Sequence, residues 1–460
     1  MGIMSIYKAC DIRGIYGADL TDGDAYLIGR AVGTLLGGKE IVVGGDVRVS
    51  TPALKEALIC GLMGSGSDVI DVGIVPTPVY YFAKHILNIE AGMMVTASHN
   101  PAKFNGFKPT LGPLPITEAE IQSIKVLARG RSFRDGSGAV REYDAIPGYL
   151  EHITSAVITS PNAGMFKIVV DCGNGCFSET APSILADAGY DVESLFCVPD
   201  GSFPNRSPNS SVAANLKALS SRVVETGADL GIAFDGDGDR VSFIDGRGRM
   251  LSADKCIVIL ARTVLERHPG AKIVYDLKCS SVVPESICGA GGVPLAERSG
   301  HTFIKTRMIR EEALLGGEIS GHYFYRELRG GDDGMYTALL MAAYLAETKA
   351  SLSDLADSVT EYAITPEIRL PYDGDRGVII ERIAAGFPDE MVSRIDGVKV
   401  NFAEGWGLAR ISVTEPVITL RFEAVKPGML RDIIAEFLAP VPEISETVIE
   451  EAGLKSECAV

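Results

Sequence analysis

Short β-branched runs that close on an aspartate, each followed by a helix-patterned stretch, limit most strongly how this chain can fold. Ile41-Val42-Val43-Gly44-Gly45-Asp46, Lys167-Ile168-Val169-Val170-Asp171 and Lys272-Ile273-Val274-Tyr275-Asp276 are three such runs. Strands of this kind alternating with helices mark parallel α/β layers. Their likeness predicts one supersecondary plan used three times. The first unit adds a helix over 52–66, a strand over 69–72 and a strand over 93–96. The second opens at 166–171, has a middle strand near 192–196 and ends with a strand over 230–235. The third begins with a helix over 255–265 and closes with one over 333–348. From Pro366 onward the pattern changes: a helix over 378–385, antiparallel strands over 398–401 and 410–423, and a packing helix over 428–438 predict a smaller α+β domain. The expected architecture is four domains, at 1–147, 148–250, 251–365 and 366–460, one more than a prior of about 150 residues per domain suggests.

Composition removes several function classes. The formal charge of −17, from 60 acidic against 43 basic side chains, repels a phosphate backbone and excludes nucleic acid as a partner. No apolar run approaches the roughly 20 residues of a membrane span, and residues 1–7 lack the basic flank and apolar core of a signal peptide. Nine cysteines follow no framework spacing, and Cys172 and Cys176 have no second pair to complete a zinc site. A cytoplasmic protein with reduced thiols is expected.

Four segments carry chemistry. Asp235-Gly236-Asp237-Gly238-Asp239-Arg240 lies between two apolar strands. Carboxylates at i, i+2 and i+4, with glycines between them, can fold toward one point and suit Mg²⁺ or Ca²⁺. An EF-hand is excluded, since Arg240 and Gly246 stand where its Gly and Glu belong. An acidic hairpin turn is the plain alternative. Thr96-Ala97-Ser98-His99-Asn100-Pro101 closes a strand and exposes a serine hydroxyl, with His99 and Lys108 near enough in sequence to steer protons or neutralise phosphate. Turn and cap chemistry alone also explains that segment. Gly317-Glu318-Ile319-Ser320-Gly321-His322 reads as an extended loop with Glu318 and Ser320 on one side, fit to grip neighbouring sugar hydroxyls. Last, Arg410, Ser412 and Thr414 alternate along one strand face, as a phosphate cradle or as an exposed polar face.

Taken together, these residues resemble the α-D-phosphohexomutases, and among them the bacterial phosphomannomutase/phosphoglucomutase group. The matching stretches are DIRG (11–14), GGDVRVSTP (44–52), TASHNP (96–101), NGFK (105–108), DGDGDR (235–240), GEISGH (317–322) and GWGLARISVTEP (405–416). The resemblance implies four domains around a central cleft, three of them similar α/β units. It implies an intramolecular phosphotransferase of the isomerase class, interconverting hexose 1-phosphate and 6-phosphate through a phosphoserine and a hexose 1,6-bisphosphate, which also serves as activator. By the same resemblance, Ser98 carries the phosphoryl group and, with Asp235, Asp237 and Asp239, holds Mg²⁺. Arg13 and Lys108 assist proton or phosphoryl transfer and Arg240 stands next to the metal loop; with His99, read from its own segment, they are the expected catalytic residues beside Ser98. Lys278 and His301 face the substrate, Glu318 and Ser320 read the sugar hydroxyls, and Arg410, Ser412 and Thr414 bind the distal phosphate. Cys10 and Val413 depart from the pattern. Hexose phosphates are the expected partners of a monomer or weak oligomer. A Mg²⁺-dependent phosphatase and a non-catalytic sugar-phosphate sensor are the competing readings.

Overall fold

The computed structural model describes residues 6–157, 162–412 and 417–454. Its first sheet runs in the order Ile12–Ile15, Phe104–Thr110, Gly92–Val95, Ile41–Gly45, Val69–Ile74, Val140–Glu142. The last four strands are parallel, and Phe104–Thr110 turns back antiparallel to Gly92–Val95. The second sheet repeats this scheme, with Asp191–Leu195, Lys167–Asp171 and Leu230–Phe234 parallel and Val241–Asp245 antiparallel. In the third, Val293–Glu297, Lys272–Asp276 and Leu315–Gly317 are parallel and Tyr323–Tyr325 returns antiparallel. The expected threefold plan is therefore present as mixed sheets.

The repeated aspartates show why the three runs look alike. Asp46, Asp171 and Asp276 are all buried at the ends of equivalent strands. Each accepts a hydrogen bond from the backbone N–H two residues on, at Arg48 (3.0 Å), Gly173 (2.8 Å) and Lys278 (3.0 Å). Such side-chain turns stop the strand and satisfy a buried donor. In every unit, the loop that joins the last parallel strand to the antiparallel return strand carries one of the singled-out segments. Residues 96–103, 235–240 and 318–322 are the three loops. One topological position, used three times, thus presents the serine, the aspartates and Glu318.

The fourth domain is an antiparallel sheet, its central strands Val398–Phe402, Gly405–Ile411 and Val417–Ala424 covered by the helices Arg376–Ala385 and Leu430–Leu438. The strand expected from Arg410 begins at Gly405 instead. Thr414, Val413 and Glu415 lie outside the described residues. This domain has its own core and meets the third through Trp406, Leu408 and Leu277. Trp406 donates to Glu423 (2.7 Å), and the Lys399 ammonium sits 3.9 Å from its ring centre while donating to the Leu277 carbonyl (3.0 Å).

Burial pushes the Lys399 amine down to about 8. The unfolded chain keeps that proton up to about pH 10.4. Between those values the unfolded state binds more protons, so this group's contribution to stability rises with pH. Wild type should gain on the order of 2–3 kcal/mol relative to Lys399→Met between pH 8 and pH 10.4. Parallel thermal melts at the two ends of that window check it; a constant difference would refute it.

Candidate active site

Ser98 occupies a left-handed backbone conformation, φ 48°, which few non-glycine residues adopt. Its neighbours hold it there. The Ser98 N–H donates to Thr96 Oγ1 (2.8 Å), Thr96 Oγ1 donates to Asp46 Oδ2 (2.7 Å), and the Ser98 carbonyl accepts from Arg48 Nη2 (2.7 Å). The result aims the hydroxyl at the second domain, where Ser98 Oγ donates to Asp235 Oδ2 at 2.7 Å. A Cβ at Gly236 would stand 2.6 Å from the Ser98 carbonyl, so the close approach of the two loops requires glycine there. Gly238 has φ +77° and lets the aspartate loop turn within a tight hairpin.

Asp235, Asp237 and Asp239 are buried, and one carboxylate oxygen of each lies within 4.8 Å of the others. The acidic hairpin turn and the converging carboxylates are one and the same object. Burial, followed by repulsion from Asp239 and Asp237, pushes the Asp235 carboxyl up to about 8. Lys108 crosses from the first domain and ion-pairs with Asp237 (2.8 Å) and Asp239. Although burial opposes it, that pair of carboxylates holds the ammonium well above its usual range. Asp237 Oδ1 and Asp239 Oδ1 remain without a hydrogen-bond partner. Two orphaned carboxylate oxygens in a dry site, beside a carboxyl driven toward neutrality, fit a hard divalent cation.

A cavity of about 210 Å³ opens above this cluster, and the four domains contribute unequally to its walls. The first supplies Arg13, Ser98 and Lys108, the second Arg240, the third His301, and the fourth Arg410. Arg13 pairs with Asp11 and donates to Asn100 (2.7 Å). Arg240 Nε donates to His322 Nε2 (2.8 Å), which leaves the His322 proton on Nδ1, 2.6 Å from Asp332 Oδ2. Burial drives His301 down to about 4, so a neutral imidazole faces the cavity. Arg410 is anchored by Asp396 (2.9 Å).

Other expected residues sit apart from that lining. His99 is half-buried; desolvation of its ring, then the charges of Arg240 and Arg13, hold it well below its normal range, and its Nδ1 lies 3.4 Å from Ser98 Oγ. Lys278 turns to Glu367 (3.4 Å) at the junction with the fourth domain. The segment 317–322 is a tight turn, not an extended loop: the Glu318 N–H donates to the His322 carbonyl and the Gly321 N–H to the Glu318 carbonyl, both at 3.0 Å. Glu318 Oε2 and Ser320 Oγ are buried without a hydrogen-bond partner. The Ser412 N–H donates to the Val417 carbonyl (3.0 Å) just beyond the strand end.

Sequence reasoning missed His322, Asp332, Arg298 and Arg48. Of these, His322 closes the Glu318 segment and Arg48 lies within the matching stretch 44–52. The others become functional neighbours through contacts between distant parts of the chain.

Fold and site together define a multidomain α/β protein in which a strained serine faces a carboxylate cluster at the meeting of four domains. Four domain families match in succession: phosphoglucomutase/phosphomannomutase alpha/beta/alpha domain I over residues 4–135, domain II over 147–248, domain III over 252–362, and the C-terminal domain over 367–439. A phosphomannomutase/phosphoglucomutase of Pseudomonas aeruginosa is 40% identical over 427 residues, 91% of this chain and 92% of that protein. A phosphoglucomutase of Neisseria gonorrhoeae is 37% identical over 448 residues, covering 95% and 96%. A crystal structure of a phosphoglucomutase/phosphomannomutase family protein from Burkholderia thailandensis superposes with a TM-score of 0.89 at 35% identity, over 96% of this chain and 97% of that one. The chain belongs to the phosphoglucomutase/phosphomannomutase family.

Proposed function

We propose that the protein interconverts hexose 1-phosphates and hexose 6-phosphates, with mannose or glucose as the sugar. The observation that carries this reading is the Ser98 hydroxyl, 2.7 Å from Asp235 and in one cavity with Arg410 of the fourth domain. A mutase needs a phosphoryl carrier and a separate grip on the phosphate that stays behind. Asp235, Asp237, Asp239 and Ser98 would hold Mg²⁺, which when bound stabilises charge on the moving phosphoryl group.

Phosphoryl transfer depends on positioning and charge neutralisation. Ser98 carries the phosphoryl group, and Lys108, Arg13 and Arg240 surround the equatorial oxygens with fixed positive charge. His99, kept neutral, supports the serine loop. Neutral His301 accepts a hydrogen bond from the substrate. Glu318 and Ser320, with spare hydrogen-bonding capacity, read sugar hydroxyls. Arg410, with Ser412 and Thr414, holds the distal phosphate. A hexose 1,6-bisphosphate turns over in the cleft between the two half-reactions and primes Ser98. The domains divide at 147, 250 and 365.

The test is to incubate the protein with Mg²⁺, glucose 1,6-bisphosphate and either glucose 1-phosphate or mannose 1-phosphate. Formation of the 6-phosphate without equivalent inorganic phosphate is expected. Stoichiometric phosphate release would instead establish a phosphatase, and binding without conversion a sensor.

A further inference from the structure

A second cavity, of about 480 Å³, lies where the helix Thr77–Ile86 of the first domain meets the helix His301–Glu311 of the third. It is more than twice the volume of the cavity above Ser98 and within the range of small-molecule sites. Its charge is unlike that of the chain around it. Lys84, Lys305, Arg326 and Arg329 line it, against the two acids Glu90 and Glu312. None of the four cations has a carboxylate within ion-pair distance among the described residues. In a protein of net charge −17, four unpaired cations around one concavity are a marked reversal of sign.

The two lysines are the sharpest part of the observation. Lys84 Nζ donates to Thr110 Oγ1 (2.6 Å), and the Lys305 ammonium lies 4.2 Å from the centre of the Tyr81 ring. Burial, followed by the charge of Lys305, pushes Lys84 down to about 7, and burial lowers Lys305 as well. Two half-buried amines that repel each other, with Glu90 and Asp332 acting on them only from beyond ion-pair distance, are costly to keep charged, and an anion between them would offset that cost. Met308, Ile309 and Leu328 give the same cavity an apolar wall against which a sugar or base ring can lie.

We propose that this cavity is a second binding site, for a phosphorylated small molecule of sugar-phosphate or nucleotide size. Its phosphate sits among Lys84, Lys305 and Arg329, and its ring packs on the apolar wall. The site is coupled to the cleft by construction. His301 opens the helix that carries Lys305 one turn later, so one rigid element faces both cavities. A ligand bridging the two domains therefore acts on the placement of His301.

Isothermal titration calorimetry on the full chain, with inorganic phosphate, AMP and glucose 6-phosphate as probes, tests this. At least one probe should bind outside the cleft, and the tighter of AMP and glucose 6-phosphate identifies the organic half of the ligand. Lys84→Met and Arg329→Asn should each weaken that binding about tenfold or more, the loss expected for one charged hydrogen bond. Asparagine suits position 329, where φ is 54°. Lys84→Arg should restore binding, and all three variants should keep the wild-type kcat/KM for hexose 1-phosphate in the absence of probe. Thermal melts establish that each variant is folded. The proposal is overturned if no probe binds outside the cleft, or if affinity is unchanged in both Lys84→Met and Arg329→Asn.

Discussion

Ser98→Ala should lower the turnover of hexose 1-phosphate by on the order of 10⁴-fold or more while leaving sugar-phosphate binding within a few-fold of wild type. The oxygen removed donates to Asp235 at 2.7 Å and lines the cavity, whereas the hydroxyls of Thr77 and Thr96, which lie within hydrogen-bond distance of Asp237, do not line it. The proposed distal grip, Arg410 on its Asp396 anchor, is untouched, so binding and chemistry should separate. Alanine keeps the left-handed backbone, and the loop geometry should persist because Arg48 and Thr96 hold its main chain. Ser98→Gly offers a second control. It relieves a conformation that costs a side chain about 1 kcal/mol, so it should melt no lower than wild type and be equally inactive. Intact mass after incubation with glucose 1,6-bisphosphate should show one added phosphoryl group on wild type and none on either variant. Substantial turnover by Ser98→Ala would remove the serine from the mechanism.

Arg48→Met should be the most destabilising single change near the site, by about 3–5 kcal/mol. Arg48 is buried with 1% of its surface exposed, and its guanidinium makes five hydrogen bonds. Nε donates to Asp46 (3.0 Å), Nη1 to the carbonyls of Pro101 (2.8 Å) and Phe104 (2.9 Å), and Nη2 to those of Ser98 (2.7 Å) and Asn100 (2.6 Å). Truncation leaves a buried carboxylate without its cation and takes a donor from four carbonyls, of which that of Pro101 keeps the Phe104 N–H as a backbone partner. Arg48 also stacks 5.1 Å from the Phe203 ring centre, so the seat of the second domain loosens with it. Lysine cannot replace it, because one ammonium lacks the planar fork that reaches several carbonyls in fixed directions. Hydrogen exchange should show lost protection across residues 96–104 in both Arg48→Met and Arg48→Lys, with activity falling as Ser98 is released. Wild-type melting of Arg48→Lys would contradict this account.

Arg48 also shows where sequence reading stops. Its segment, 44–52, was recognised as a matching stretch, but nothing local says that the side chain runs inward to serve a loop fifty residues later. Arg206 has the same standing in the second unit: it pairs with Asp171 (2.9 Å) and donates to the Phe234 carbonyl (2.7 Å) beside the aspartate loop. Lys278 shows the same limit from the other side. The resemblance expects it to face the substrate; here its ammonium lies 3.4 Å from Glu367, and Arg298 lines the cavity. A strand and its turn define where a Cα lies, but a long flexible side chain chooses among partners that only packing supplies.

The repeated strand ending in aspartate was legible because its cause is local: apolar alternation builds the strand, and an Asp side chain bonding to the N–H two residues on ends it. The aspartate triad and the serine segment were legible for the same reason, since glycine spacing and a strand end act within a few residues. Only the tertiary structure decided that Ser98 meets Asp235 across 137 positions, that Lys108 spans to Asp237, that His322 is held between Arg240 and Asp332, and that unpaired lysines from two domains share one cavity. Those are contacts between separately folded units. They depend on how three like domains and a fourth dock against one another, and docking follows from surfaces assembled from distant segments, which no local pattern encodes.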